Sequence, residues 1–147
     1  MAYGKSALSA SITLPNFDQY LAKIQAAGND IDPLCESAVN AALPIVEKAM
    51  KAGAARHRKG AGKYGTDEVY DAIEITPAKV QGNYIYGTVG IDTHKHPEAL
   101  HGVYQEYGDG HSPEFPDPFV RPAVDEHKPE IRKAERDVLK KGGIPVE

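Results

Sequence analysis

The residues in this chain that could do chemistry are its histidines, and their spacing decides what that chemistry would be. The stretch "THKHPEALH" sets His94, His96 and His101 within eight positions, and His111 follows shortly after. A zinc site needs three or four ligands in fixed geometry, usually with pairs at helix-turn spacing. His94 and His96 could chelate from a strand, but no His-Glu-x-x-His run accompanies them, and the single cysteine, Cys35, cannot form a Cys pair. The expected reading is a polar, histidine-rich loop with no metal. Glu106 and Asp109 flank Tyr107 near His111, a grouping that suggests acid–base work. No nucleophile elbow, phosphate loop or second carboxylate at telling spacing supports it. We therefore expect no catalytic residues and no cofactor. Glu106 is expected instead to end a helix and to pair with the guanidinium of Arg121, pinning the corner between them, because a planar guanidinium suits a carboxylate bidentately.

A second grouping is electrostatic. "AGAARHRKGAGKYGT" (residues 52–66) contains Arg56, His57, Arg58, Lys59 and Lys63, glycines at 53, 60, 62 and 65, and no acid. The glycines raise the entropy cost of fixing this stretch, so a mobile loop is expected at about 53–65. Arg56, Arg58, Lys59 and Lys63 are candidates for touching DNA phosphates or an acidic partner, against the plain alternative of a solvated loop. The chain as a whole opposes DNA binding by bulk charge: 17 basic against 21 acidic residues give a net charge of -4.

These groups have to be positioned by a modest scaffold. The length of 147 residues suits one domain spanning 1–147, and 41% hydrophobic residues suffice for a core. Cys35 lies in an apolar helical pattern and reads as a small core residue. The start of the chain shows no signal-peptide pattern and no segment approaches the ~20 apolar residues of a membrane span, which implies a protein made in the cytoplasm. "SASITL" alternates weakly and reads as a short strand or an extended arm. "PNFDQYLAKIQAAG" reads as a helix capped by Asn16, with Gln19 completing the capping box, Phe17, Leu21 and Ile24 on one face, and Gly28 as the stop. A second helix begins at Asp32 and Pro33 and carries a broad apolar stripe through Met50, with Pro44 expected to kink it.

Farther on, Ile73 and Ile75 alternate with polar neighbours. After a turn at 81–83, Ile85, Gly87, Val89 and Ile91 face one way, and Tyr84, Tyr86 and Thr88 the other. That is a hairpin with one core face. A short helix should follow and stop at Gly108. Arg121, preceding Pro122, should be extended. Pro129 should kink or restart the last helix, in which Val124, Ile131, Ala134 and Val138 form a narrow seam flanked by charges of both signs, Glu130, Arg132, Lys133, Glu135, Arg136 and Asp137. The fold class expected is α+β: a small antiparallel sheet packed by two N-terminal helices and a C-terminal helix.

The last third adds a resemblance. "HGVYQEYGDGHSPEFPDPFVRPAVDEHKPEI" is similar to the tail-completion, or head–tail joining, proteins of long-tailed bacteriophages. The matching residues are Tyr104, Glu106 and Gly108, then Pro118, Phe119, Arg121, Pro122 and Ala123. Asp109 departs from the small hydroxyl residue that often follows the glycine, and the basic loop is longer than usual. The resemblance implies a structural virion protein of the neck: a homo-oligomeric ring, commonly six-fold, between the head connector or stopper and the tail terminator or tail tube, with genomic DNA in its lumen. A tail-terminator ring and a small nucleic-acid-binding module are the alternatives. A thin-seamed helix that gains burial from a neighbour fits a ring. It makes Phe115, Phe119, Val124, Ile131, Ala134 and Val138 the expected intersubunit residues.

Overall fold

The computed structural model describes residues 8–15, 17–19, 22, 32–61, 66–82 and 84–143. Strand β1 (Ser9–Thr13) is followed by the long helix α1 (Asp32–Ala54), a 3-10 turn (Ala55–His57) and the short α2 (Glu68–Ala72). The hairpin strands β2 (Glu74–Gln81) and β3 (Tyr84–Gly90) come next, then a 3-10 turn (Pro97–Leu100) that runs into α3 (His101–Tyr107). Two helices close the chain, α4 (Arg121–Asp125) and α5 (Lys128–Lys141). Residues 17–19 and 22 are helical, while Asn16, Leu21, Ile24 and Gly28 of the expected first helix lie outside the described residues.

The α+β class is as the sequence implies. The sheet is antiparallel with order β1-β3-β2, so the weakly patterned SASIT segment is a true strand, paired along the hairpin's second strand from Ser9 opposite Gly90 to Thr13 opposite Tyr86. The core face of β3 is the expected one: Ile85, Gly87, Val89 and Ile91 are all buried. That face packs on α1, whose stripe of Ala38, Val39, Ala42, Leu43, Val46 and Met50 is sealed from solvent. Gly87 sits where the helix comes closest, and a Cβ there would lie 2.8 Å from Leu43 Cδ1. The register of β2 slips between Thr76 and Lys79, around Pro77, so this edge strand carries both a bulge and a residue without an N–H. The outer face of the sheet holds exposed Ser11 and Thr76 and half-buried Tyr86 and Thr88. No helix among the described residues is long and apolar enough to cross a membrane.

Two expectations about helices change. Pro44 sits on the exposed side of α1, which continues unbroken from Asp32 to Ala54. Arg121 is not extended: it opens α4, with Pro122 in the first turn, where a missing N–H costs nothing. Pro129 acts as expected, standing in the first turn of α5, a restarted helix. Cys35 is fully buried, and that burial, with Asp32 close by, pushes its thiol up to about 12.

The narrow seam of α5 is satisfied within the chain. The helix lies along α1, and Ile131 and Leu139 are buried there, with Val124, Ala134 and Val138 half-buried beside them. The intersubunit role expected of Ile131 is therefore corrected. A stripe of residues four apart is enough when the helix it meets presents alanines and small apolar groups. Glu135, expected as a flanking surface charge, falls on the same stripe, four residues from both Ile131 and Leu139, and is 2% exposed.

Candidate functional site

The corner that follows α3 is heavily tied, and each tie can be followed from its residue. α3 stops because Gly108 takes φ 90°, a conformation side-chain-bearing residues rarely adopt, while its N–H still reaches Tyr104 O at 2.7 Å. A Cβ on Gly108 would also meet Pro116 Cδ at 3.2 Å. Asp109 then organises the next turn. Its carboxylate accepts the N–H of His111, the N–H of Ser112 and the Ser112 hydroxyl, each at 2.8 Å. These bonds hold it down at about pKa 2.

The chain returns toward the core through Phe115 and a cis bond to Pro116. The Asp117 N–H donates to Gln105 O at 2.7 Å, and the buried Gln105 side chain donates to Gly53 O at 3.1 Å, linking corner, α3 and α1. The Asp117 carboxylate takes a bidentate pair from Arg56 at 2.9 and 2.8 Å and a further contact from His57 Nε2 at 2.8 Å. Arg56 also reaches Pro118 O at 3.1 Å. The Arg56 bond, then His57, holds the Asp117 carboxyl below the usual range against partial burial. The His57 ring lies 4.9 Å from that of Phe115.

Glu106 completes the corner, in a different way from the one expected. Its carboxylate accepts three backbone N–H groups, from Phe119 at 2.8 Å, Val120 at 2.9 Å and Arg121 at 3.3 Å. The partner on Arg121 is its main chain, and the expected ion pair with the guanidinium is replaced by a helix-capping contact. Glu106 thus supplies a negative charge and acceptors to the N-terminus of α4, whose first N–H groups have no partner within the helix. The pinning that the sequence suggested is real, and backbone donors achieve it.

Phe119 is likewise corrected from an interface residue to a core residue. It is 2% exposed, with its ring end near Gly102 and its Cβ against Gly53. A Cβ on Gly53 would lie 2.6 Å from Phe119 Cβ. Gly53→Ala is therefore expected to cost about 1–3 kcal/mol through overpacking, read as a lowered midpoint in urea. An unchanged midpoint would mean that α1 and the corner can part without loss.

The basic stretch is tied down where it is described. Gly53 and Ala54 are the end of α1, and Arg56 and His57 belong to the 3-10 turn that grips Asp117. Arg58 bonds Asp67 at 2.9 Å and stacks 4.0 Å from the Tyr70 ring centre, and the Lys59 N–H reaches Asp67 at 3.3 Å. Across 53–61 the expected mobile loop is thus a helix end and an anchored turn; Lys63 lies outside the described residues. Acids outside the stretch, Asp117 at 61 positions from Arg56 and Asp67 at 9 from Arg58, pair with cations that look unopposed within it.

The histidines are dispersed. His96 contacts Glu98 at 3.2 Å, His101 lies 3.9 Å from Glu68, and His94 and His111 are exposed. No group of three metal-binding side chains occurs among the described residues. Sequence reasoning passed over Gln105 and Asp117, and counted His57 only among the cations of the basic stretch. The available signal was Asp117 itself, an acid held between two prolines with no local partner.

No protein-family model matches this chain, nor does any curated protein or solved structure match it significantly.

Proposed function

We propose that this chain is a structural protein of a bacteriophage neck, joining head to tail as a homo-oligomeric ring through which DNA passes. One observation carries the reading. The two separated blocks of the resemblance, Glu106 with Gly108 and Phe119 through Ala123, meet in space, the first block's carboxylate capping the second block's backbone. Motif residues that depend on one another physically are a better sign than a string match alone. The electrostatics agree: the net charge is -4, and Arg56 and Arg58 are already paired with acids, so fixed phosphate grips that would stall moving DNA are few. The ring's neighbours would be the head connector or stopper on one side and the tail terminator or tube on the other.

With Phe119 and Ile131 internal, the subunit contact moves elsewhere. Leu100, Tyr104 and Tyr107, 49%, 44% and 58% exposed, recur at helical spacing along one side of α3 and its preceding turn. Tyr-rich exposed faces are favoured at interfaces. Light scattering and negative-stain microscopy of the purified protein, alone and with duplex DNA, are expected to show closed rings. Tyr104→Asp should release monomers with an unchanged circular dichroism spectrum. A monomer under all these conditions would remove the ring reading.

A further inference from the structure

Glu135 is buried with one carboxyl oxygen, Oε2, that has no hydrogen-bond partner. It lines a cavity of about 110 Å³ between α5 and β1, beside Ser11, Ile12 and Thr13. A second cavity of about 270 Å³ continues past Ser11 and Val124 toward Arg121. Neither is lined by β2 or β3, so both lie on the side of β1 turned away from its only strand partner among the described residues. The result is a cleft along a sheet edge, floored by helices.

The two edges of the sheet are not alike. β2 has a bulge, Pro77 and exposed Lys79, the devices that keep an edge from pairing. Ala10–Thr13 of β1 has neither proline nor charge, and its pairing with β3 runs without a bulge. An unguarded edge is a template for an added strand. The cleft's exposed charges are Arg121, Lys128 and Arg132 against Asp125, which pairs with Lys128 at 3.7 Å. This rim repels a cationic ligand and attracts an anionic one. The orphaned Glu135 oxygen, meanwhile, calls for a donor, and a peptide N–H provides one without positive charge. Glu106 already receives main-chain N–H groups in this way inside the same fold.

We infer that the cleft between β1 and α5 is a docking site for an extended peptide segment bearing acidic side chains. The segment adds its backbone to the edge of β1 that has no strand partner among the described residues, gives an N–H to Glu135 and sets its carboxylates against Arg121 and Arg132. The site shares Glu106, Val120 and Arg121 with the corner at one end, and it stands whether or not the chain forms a ring.

The probe is a capped hexapeptide alternating valine and glutamate, titrated into the 15N-labelled full chain and followed by amide shifts. Shifts confined to Ser11–Thr13 and Val124–Glu135 are expected, with about tenfold weaker binding or less for the valine–lysine counterpart. Glu135→Leu should weaken binding by about tenfold or more, since it removes the acceptor. If that variant fails a dichroism check of folding, Glu135→Gln, which keeps an acceptor carbonyl, should retain most of the binding while Ser11→Lys abolishes it. Equal binding of both peptides, or shifts that avoid β1 and α5, would overturn the proposal. Light scattering on Ser11→Lys then tells the source of the natural segment: lost self-association assigns it to a second copy, and unchanged association to a different chain.

Discussion

Glu106→Ala is expected to lower stability by about 3–5 kcal/mol, because it leaves the N–H groups of Phe119, Val120 and Arg121 without their acceptor. The first two of these bonds are buried, so water cannot take over freely. The loss also strips the N-terminus of α4 of the carboxylate bonded to it and frees the strip of chain that holds Phe119 between Gly53 and Gly102. Glu106→Gln keeps one carbonyl acceptor and is expected to lose roughly half as much. Arg121→Ala should change stability by less than about 0.5 kcal/mol, since its side chain is exposed and the bond to Glu106 comes from its backbone. Urea denaturation of the three variants settles the matter. If Arg121→Ala cost as much as Glu106→Ala, the contact would behave as an ion pair and the capping account would fail.

The second large effect is a dependence of stability on pH set by Glu135. Burial pushes its carboxyl from 4.5 to about 7, and only Arg132 pulls the other way. The folded chain therefore keeps a proton on Glu135 at pH values where the unfolded chain has lost it. Stability from this group is fully present below about pH 4.5, falls as pH rises, and levels off above about 7. The shift corresponds to about 3 kcal/mol across the window. Lys128 and Arg132 are the charged groups among the described residues that share its cavity. Glu135→Leu should remove this slope and leave the variant more stable than the parent at about pH 8. The difference between the two chains' unfolding free energies, measured from acid to neutral pH, isolates Glu135 from the other carboxylates. A difference that does not vary with pH would mean that water or a counter-ion solvates the group.

The hairpin, the core helix and the stop at Gly108 were legible because each depends on local chemistry: period-two alternation, a broad apolar stripe, a glycine at a turn. β1 was half legible, its five residues alternating too weakly to reveal that β3 would accept them. The corner was legible as an object and misread in its bonds. Side-chain pairing by charge is visible in a sequence, whereas a carboxylate choosing three backbone N–H groups depends on where two distant segments meet. Arg56 and Arg58 looked free for the same reason, their acids being 61 and 9 positions away. Glu135 was misplaced by its type: its spacing from Ile131 and Leu139 put it on the buried face, and its charge argued otherwise.

The unequal edges of the sheet also limit what the protein can become. A strand accepted at β1 would find the far side of the sheet closed by the bulge and Pro77, so no further chain pairs at that opposite edge. A sheet with two open edges can be extended from both sides; one guarded at β2 can be extended only from the β1 side. A protein at high local density would gain from that asymmetry, because molecules cannot pair edge to edge through β2.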